Sequence, residues 1–324
     1  MKKACVLRWG AWGDLIMCSP LFKLLKKDGY HVTAHITKRA KDVLKGNPYI
    51  DEFIVYVDDT VPFDKLGAYW DDLSKQYDRF INLSGSIEEG LLAAPWQDIY
   101  NWKKEDRHKK LNVNYYDRTL ELGGYPIKGR NGELYLTKDD EKIVRSRLKP
   151  YKDKFVILWS LSGSSYHKTY PFAEQVALRF LENHKDAQII CVGETLCYLL
   201  EWDHRRSFNA SGAWSMRTTM ALTKYVDLVI GPETGVMNAA GCFDTPKIVF
   251  LSHSSEENLT KYWKNCTALH GEAFCYPCHM LHYNRDSCPH DSITTAPLCM
   301  ARIKPEDVYN AMEQVYQRKM RKAA

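Results

Sequence analysis

Short apolar runs alternate with amphipathic segments along most of the chain. The first run, Ala4 to Leu7, meets a glycine turn at Gly10 to Gly13. Leu15, Ile16, Phe22, Leu24 and Leu25 then follow at the spacing of a helix's apolar face. The alternation continues with a strand at His31 to Ile36, a helix at Lys38 to Leu44 and strands at Phe53 to Val57 and Arg79 to Leu83, with a further strand-like run at Asp98 to Tyr100. Strands alternating with helices predict a parallel sheet covered on both faces.

A polar, lysine-rich stretch around Pro150 separates this series from a second one. There the pattern predicts strands at Phe155 to Trp159, Gln188 to Val192, Leu228 to Ile230 and Lys247 to Leu251, with helices at Pro171 to His184, Ser215 to Tyr225 and Val236 to Gly241. The last segment, Lys304 to Lys322, opens with Pro305, Glu306 and Asp307 and closes with Arg318, Lys319, Arg321 and Lys322, as a helix dipole favours. Two α/β domains are expected, residues 1–150 and 151–303, followed by a terminal helix at 304–324.

At 324 residues, 45% hydrophobic and 26% charged, the chain is long enough for two packed domains. Its formal charge of +5 is too mild to announce nucleic-acid binding and suits an anionic substrate. No window approaches the roughly eighteen apolar residues of a membrane-spanning helix. Arg8 and Asp14 also break the apolar run that a secretory leader would need. Cys5, Cys18, Cys191, Cys197 and Cys242 stand singly at apolar or helix-like positions, as reduced buried thiols do. A cytoplasmic protein is expected, with peripheral association at the inner face of the membrane left open.

Leu228 to Gly241 reads as strand, glycine turn and small-residue helix. The first N–H groups of such a helix lack internal partners and form an anion site, which Gly235 lets a phosphate approach; a tight turn capped by Thr234 is the plainer reading. Trp159 to Pro171 also follows a strand and offers Ser160, Ser162, Ser164, Ser165 and the point charge of Lys168. A solvated loop would look the same. Two such loops after strands of one domain point to a nucleotide-diphosphate site at the carboxyl edge of the sheet.

Gly10-Ala-Trp-Gly13 lacks the G-x-G-x-x-G spacing of a dinucleotide loop. Asp14, near the start of the first helix, is either a helix cap or a carboxylate able to take a proton from an acceptor hydroxyl. Cys275-Tyr-Pro-Cys278, Cys288 and Cys299, with Cys266, His279, His282 and His290 close by, could hold a structural zinc, exist as reduced thiols or form a disulfide. Lys103 to Lys110 is basic and adjoins Trp96, Tyr100, Trp102, Tyr115 and Tyr116. It reads either as a solvated surface or as a receiver of an anionic acceptor, phosphorylated sugar or nucleic acid.

Taken in order, these motifs resemble the heptosyltransferase family, the ADP-heptose:lipopolysaccharide glycosyltransferases. Arg8-Trp-Gly-Ala-Trp-Gly-Asp14 with Pro20 is similar to that family's R-x-G-[small/apolar]-x-G-D start. Ile230-Gly-Pro-Glu-Thr-Gly-Val-Met-Asn-Ala-Ala-Gly241 resembles its strand followed by D-T-G-x-x-H-x-A-[AG], Lys168-Thr-Tyr-Pro171 its K-x-W-P, and Cys299-Met300 its late C-M. Glu233 stands where the family carries aspartate and Asn238 where it carries histidine, changes that reshape the sugar pocket.

The resemblance implies an α/β GT-B architecture, two Rossmann-like domains facing across a cleft, with the terminal helix returning to the first. It also implies inverting, metal-independent transfer from a nucleotide-diphosphate sugar, with no other cofactor required. Carried over by position, Asp14 would be the general base. Ser164, Ser165, Lys168 and the N–H groups of Thr234, Gly235 and Val236 would hold the donor phosphates. Glu194 would bond the ribose and Met216 lie against the base, while Glu233 and Asn238 would shape the donor-sugar pocket. Arg8, Gly10, Trp12 and Gly13 would form the acceptor side. The implied acceptor is an anionic glycan of the lipopolysaccharide type. A hydroxylated DNA base as acceptor, and a non-catalytic sugar-nucleotide-binding protein, are the alternatives.

Overall fold

The computed structural model describes residues 1–57, 60–86, 90–281 and 288–323. Its first sheet comprises β1 (Lys3–Arg8), β2 (His31–Thr37), β3 (Glu52–Tyr56) and β4 (Arg79–Asn82), ordered β3-β2-β1-β4 with every pair parallel. Helices α1 (Trp12–Lys27), α2 (Lys38–Leu44) and α3 (Leu66–Ser74) link these strands. The connection onward carries α4 (Lys104–Leu111), α5 (Tyr115–Leu122) and α6 (Lys138–Leu148).

The second sheet comprises β5 (Phe155–Ser160), β6 (Ala187–Val192), β7 (Ser207–Asn209), β8 (Leu228–Pro232), β9 (Lys247–Leu251) and β10 (Cys266–His270). Its order is β10-β9-β8-β5-β6-β7, again all parallel. Helices α7 (Ala173–Asn183), α8 (Met216–Leu222), α9 (Gly235–Gly241), α10 (Leu298–Ala301) and α11 (Pro305–Ala323) accompany it. Every residue of β5 and β6 is buried, as strands covered on both faces require. Phe155, Ile157 and Trp159 enter one core with Phe180, Val308 and Met312, while Val156 and Leu158 enter the other with Val144 and Val236. The winding of this sheet reverses between β5 and β8, and that of the first between β1 and β4. A crevice opens at the carboxyl ends of strands at such switch points.

The terminal helix departs from expectation. α11 packs on the second sheet's side of the molecule and does not return to the first: Val308, Ala311 and Met312 join the Phe155 and Phe180 core, and Tyr316 donates to Asp186. Lys319 pairs with Asp227 on the same side. The physical reason is the tertiary packing of its apolar stripe on Phe180 of α7 and on the Phe155 ring, 5.1 Å from that of Tyr316. Asp98 to Tyr100, expected as a strand, forms a short 3-10 turn instead, its neighbours' N–H groups closing onto Gln97 and Ile99 rather than a ladder.

Arg217, in α8, ties the halves together. Its guanidinium donates to the Asp140 carboxylate of α6, to Tyr135 O, and to the carbonyls of Asp42 and Val43 in α2. All five donations are buried or nearly so, so one side chain fixes α2, α6 and α8 around the crevice.

Candidate active site

The loops after β1, β5 and β8 meet across this crevice, which encloses about 600 Å³. Two glycines bring the halves into contact at its floor. A Cβ on Gly13 would stand 2.9 Å from Asn238 Nδ2, and one on Gly235 would stand 3.1 Å from Trp12 Cβ. Only glycine lets the first turns of α1 and α9 approach so closely.

Gly10, Trp12, Gly13 and Asp14 line one wall; Ser164, Lys168, Glu194, Met216, Glu233, Thr234, Gly235, Val236 and Asn238 line the other. Asp14 caps its helix and lines the cleft at once. Its Oδ2 accepts the Ala11 N–H at 2.6 Å, closing the first turn of α1, and it still faces the cleft. Arg8, expected on the acceptor side, is instead buried behind that carboxylate, with Nη2 3.1 Å from Asp14 Oδ2 and Nη1 donating to Leu83 O. Arg8 is the last residue of β1, and its guanidinium bridges the first turn of α1 and the end of β4, which leaves it 2% exposed. Ser165 likewise turns inward, its Oγ 3.3 Å from His167 Nε2, and does not line the cleft.

Lys168 is the cation the site leaves open. Among the described residues its ammonium has no ion pair and no hydrogen bond, and burial pushes its pKa below the ordinary lysine range against the opposing charges of Glu233 and Asp14. Thr234 caps α9 through its hydroxyl, which accepts Met237 N–H and meets Ser160 Oγ at 3.2 Å. Asn238 donates to Thr234 O, and its Oδ1 is buried with no hydrogen-bond partner among the described residues.

Glu233 was expected at the donor sugar. It borders the cleft, but its carboxylate serves the segment after β9: Oε1 accepts Ser252 and Ser254 N–H, and Oε2 accepts Ser254 Oγ and lies 3.0 Å from His253 Nδ1. Burial opposes its charge, yet His253, Lys168 and the Ser252 N–H hold the carboxyl well below the ordinary range.

Sequence reasoning missed several lining residues: Trp9, Thr37, Lys38, Arg39 and His253. For Lys38 and Arg39 the signal was available, a basic pair directly after β2 and so at the same sheet edge as the loop after β1. Lys103, Lys109, Lys110 and Trp102 line a separate shallow surface outside the cleft, and of that aromatic stretch only Tyr115 borders the cleft.

Cys275, Cys278, Cys288 and Cys299 do converge, around a small cavity of about 50 Å³ shared with His167 and His253. Among the described residues, however, no three His, Cys, Asp or Glu side chains are arranged to hold a metal ion, so the zinc expectation is not supported. The cysteines are free thiols, and burial raises the Cys278 thiol to about 12. His282 lies outside the described residues. No described helix is long and apolar enough to cross a membrane.

No protein-family model and no curated protein sequence matches the chain. Solved structures do. ADP-heptose lipopolysaccharide heptosyltransferase II of E. coli superposes with a TM-score of 0.68 at 13% identity, covering 98% of this chain and 99% of that one. A glycosyl transferase family 9 protein of Veillonella parvula gives 0.67 at 14% identity over 97% and 98%. The chain has the GT-B fold of the heptosyltransferases. E. coli heptosyltransferase WaaC with ADP is similar too, at a TM-score of 0.58 and 11% identity over 97% and 98% of the two chains. The likeness to these heptosyltransferases therefore spans both sheets and the cleft between them, and it is carried by fold rather than by sequence identity.

Proposed function

We propose that this protein is an inverting glycosyltransferase that moves a sugar from a nucleotide-diphosphate donor to a hydroxyl of an anionic glycan. The observation that carries the reading is the desolvated, unpartnered ammonium of Lys168 in a cleft whose opposite wall presents Asp14. A desolvated cation with no direct ion pair is costly to keep, and a diphosphate can supply one. Heptosyltransferases of the same fold are described with ADP and ADP-heptose analogues, which supports a nucleotide-sugar donor here.

In this reading the donor lies along the second sheet's edge. Glu194 takes the ribose, Met216 packs on the base, and Lys168 with Ser164 and the first N–H groups of α9 holds the phosphates. The acceptor enters over Gly10 and Trp12, where Lys38 and Arg39 meet its negative groups. Asp14, oriented by Arg8 and Ala11 N–H, accepts the proton of the attacking hydroxyl. The acceptor oxygen bonds the anomeric carbon from the face opposite the departing diphosphate, which inverts that centre.

Lys38 and Arg39 meet a charged glycan at the cleft, whereas the basic residues that motivated a DNA acceptor, Lys103, Lys109 and Lys110, line a separate surface. A thermal-shift screen against nucleotide sugars tests the donor assignment: a ligand of the folded form raises the melting temperature with its affinity. A shift confined to one nucleotide-diphosphate series supports the reading, and no shift with any of them overturns it.

A further inference from the structure

The segment after β9 brings an imidazole to the donor wall that neither predicted phosphate loop contains. His253 is almost fully buried, yet it borders both the cleft and the small cavity behind it. Its Nδ1 is the crowded nitrogen, 3.0 Å from Glu233 Oε2, 3.2 Å from Ser252 Oγ and 3.3 Å from His167 Nε2. Its Nε2 has no hydrogen-bond partner among the described residues. Glu233 is fully engaged in building this arrangement, since both of its oxygens bind residues 252 to 254.

Charge balance gives the arrangement a purpose. One buried carboxylate, Glu233, stands near two basic side chains, His253 and Lys168, and both act to hold its charge. Asn238 occupies the place of a histidine in the motif this chain resembles, and its amide is turned to Thr234 O and Gly13. The cleft's imidazole comes from the neighbouring strand end instead.

Resting on the donor reading above, we infer that His253, held by Glu233 with Nε2 toward the cleft, is the second donor-phosphate ligand and acts beside Lys168 on the leaving diphosphate. As the acceptor oxygen bonds the anomeric carbon, the carbon–oxygen bond to the distal phosphate breaks and its electron pair stays on the phosphate oxygen. The hydroxyl proton passes to Asp14. His253 N–H and the Lys168 ammonium then meet the charge on the departing group, with no further proton transfer needed. Glu233 is a positioning residue that fixes the ring and its tautomer.

The groups facing His253 from every side are Glu233, Lys168, His167, His279 and the thiols of Cys275, Cys278, Cys288 and Cys299. Burial, with the charges of His108 and His253, pushes His279 down to about 3, which keeps it neutral at working pH. Burial also raises the Cys275 and Cys278 thiols. Glu233 is thus the anion that holds His253.

Calorimetric titration of the full chain with ADP, UDP, GDP and CDP, and with the matching monophosphates, tests this. His253→Gln should weaken whichever diphosphate binds by about 10-fold or more, while its monophosphate changes less than about twofold. Glu233→Gln, which frees the ring, should weaken that diphosphate in the same direction and again spare the monophosphate. Should His253→Gln fail to fold, His253→Asn and Glu233→Gln carry the test. A folded variant that binds diphosphate as the wild type does overturns the inference and leaves the donor reading standing. Absence of diphosphate binding to the wild type overturns the donor reading itself, and the inference with it.

Discussion

Arg8 Nη2 lies 3.1 Å from Asp14 Oδ2, and a Cβ placed on Gly10 would fall 2.5 Å from that same oxygen and 2.8 Å from Arg8 Nε. The glycine therefore leaves the space in which the pair forms. Gly10→Ala should push Asp14 off its position without changing any charge. The expected result is a loss of about 10²-fold in kcat with donor affinity unchanged, because a displacement of about 1 Å has that effect on a positioned group. Steady-state kinetics with parallel donor titration checks it.

Lys168 offers a prediction with two opposite signs. Lys168→Met removes a desolvated charge that has no partner, so the ligand-free protein should melt at a higher temperature. The same change should weaken the nucleotide-diphosphate donor by about 10- to 100-fold, the value of a charge-assisted hydrogen bond. Melting curves with and without ligand read both effects, and a variant that is destabilised and binds donor normally would refute the role.

The glycine contact across the floor predicts a cleft-specific cost. Gly13→Ala drives a methyl against Asn238 Nδ2, which is itself bonded to Thr234 O. Overpacking of this kind costs about 1–3 kcal/mol. Because α1 and α9 belong to opposite halves, denaturant titration should show the loss and kinetics should show a raised KM.

The Arg217–Asp140 pair sets an acid limit. Burial opposes the Asp140 charge, but Arg217 and the Thr137 N–H and hydroxyl lower its pKa from 3.8 to about 2. A depressed carboxylate contributes stability above its unfolded value and loses it as pH falls through the folded one. That share, about 2 kcal/mol, is present above about pH 4 and disappears toward pH 2. Arg217→Met should cost about 3–5 kcal/mol at neutral pH, and its deficit relative to wild type should shrink as pH falls from 4 to 2. Urea titrations across that range measure it.

The sheets were legible because their strands are continuous apolar runs bounded by glycine and polar turns: β1, β2, β5, β6, β8 and β9 stand within a residue or two of the expected positions. β7 and β10, short edge strands with exposed residues, carry no such pattern. Of the cleft, the residues on glycine loops were readable because loop chemistry is local. The partner of Arg8 was not legible, because its pairing with Asp14 depends on how β1 and the first turn of α1 fold together. The hydrogen-bond partners of Glu233 were not legible, because the segment it binds, 252 to 254, lies nineteen or more residues further on. The docking side of the last helix depends on tertiary packing alone, which an amphipathic stripe does not specify.

In the proposed transfer Asp14 takes the acceptor's proton. The most direct test is the rate of sugar transfer by Asp14→Asn, measured with the donor found in the thermal-shift screen and alongside the donor dissociation constant. A fall of about 10²- to 10⁴-fold in kcat is expected, the range of general-base catalysis, with the donor constant held within about twofold. Turnover at the wild-type rate by a folded Asp14→Asn protein would contradict it.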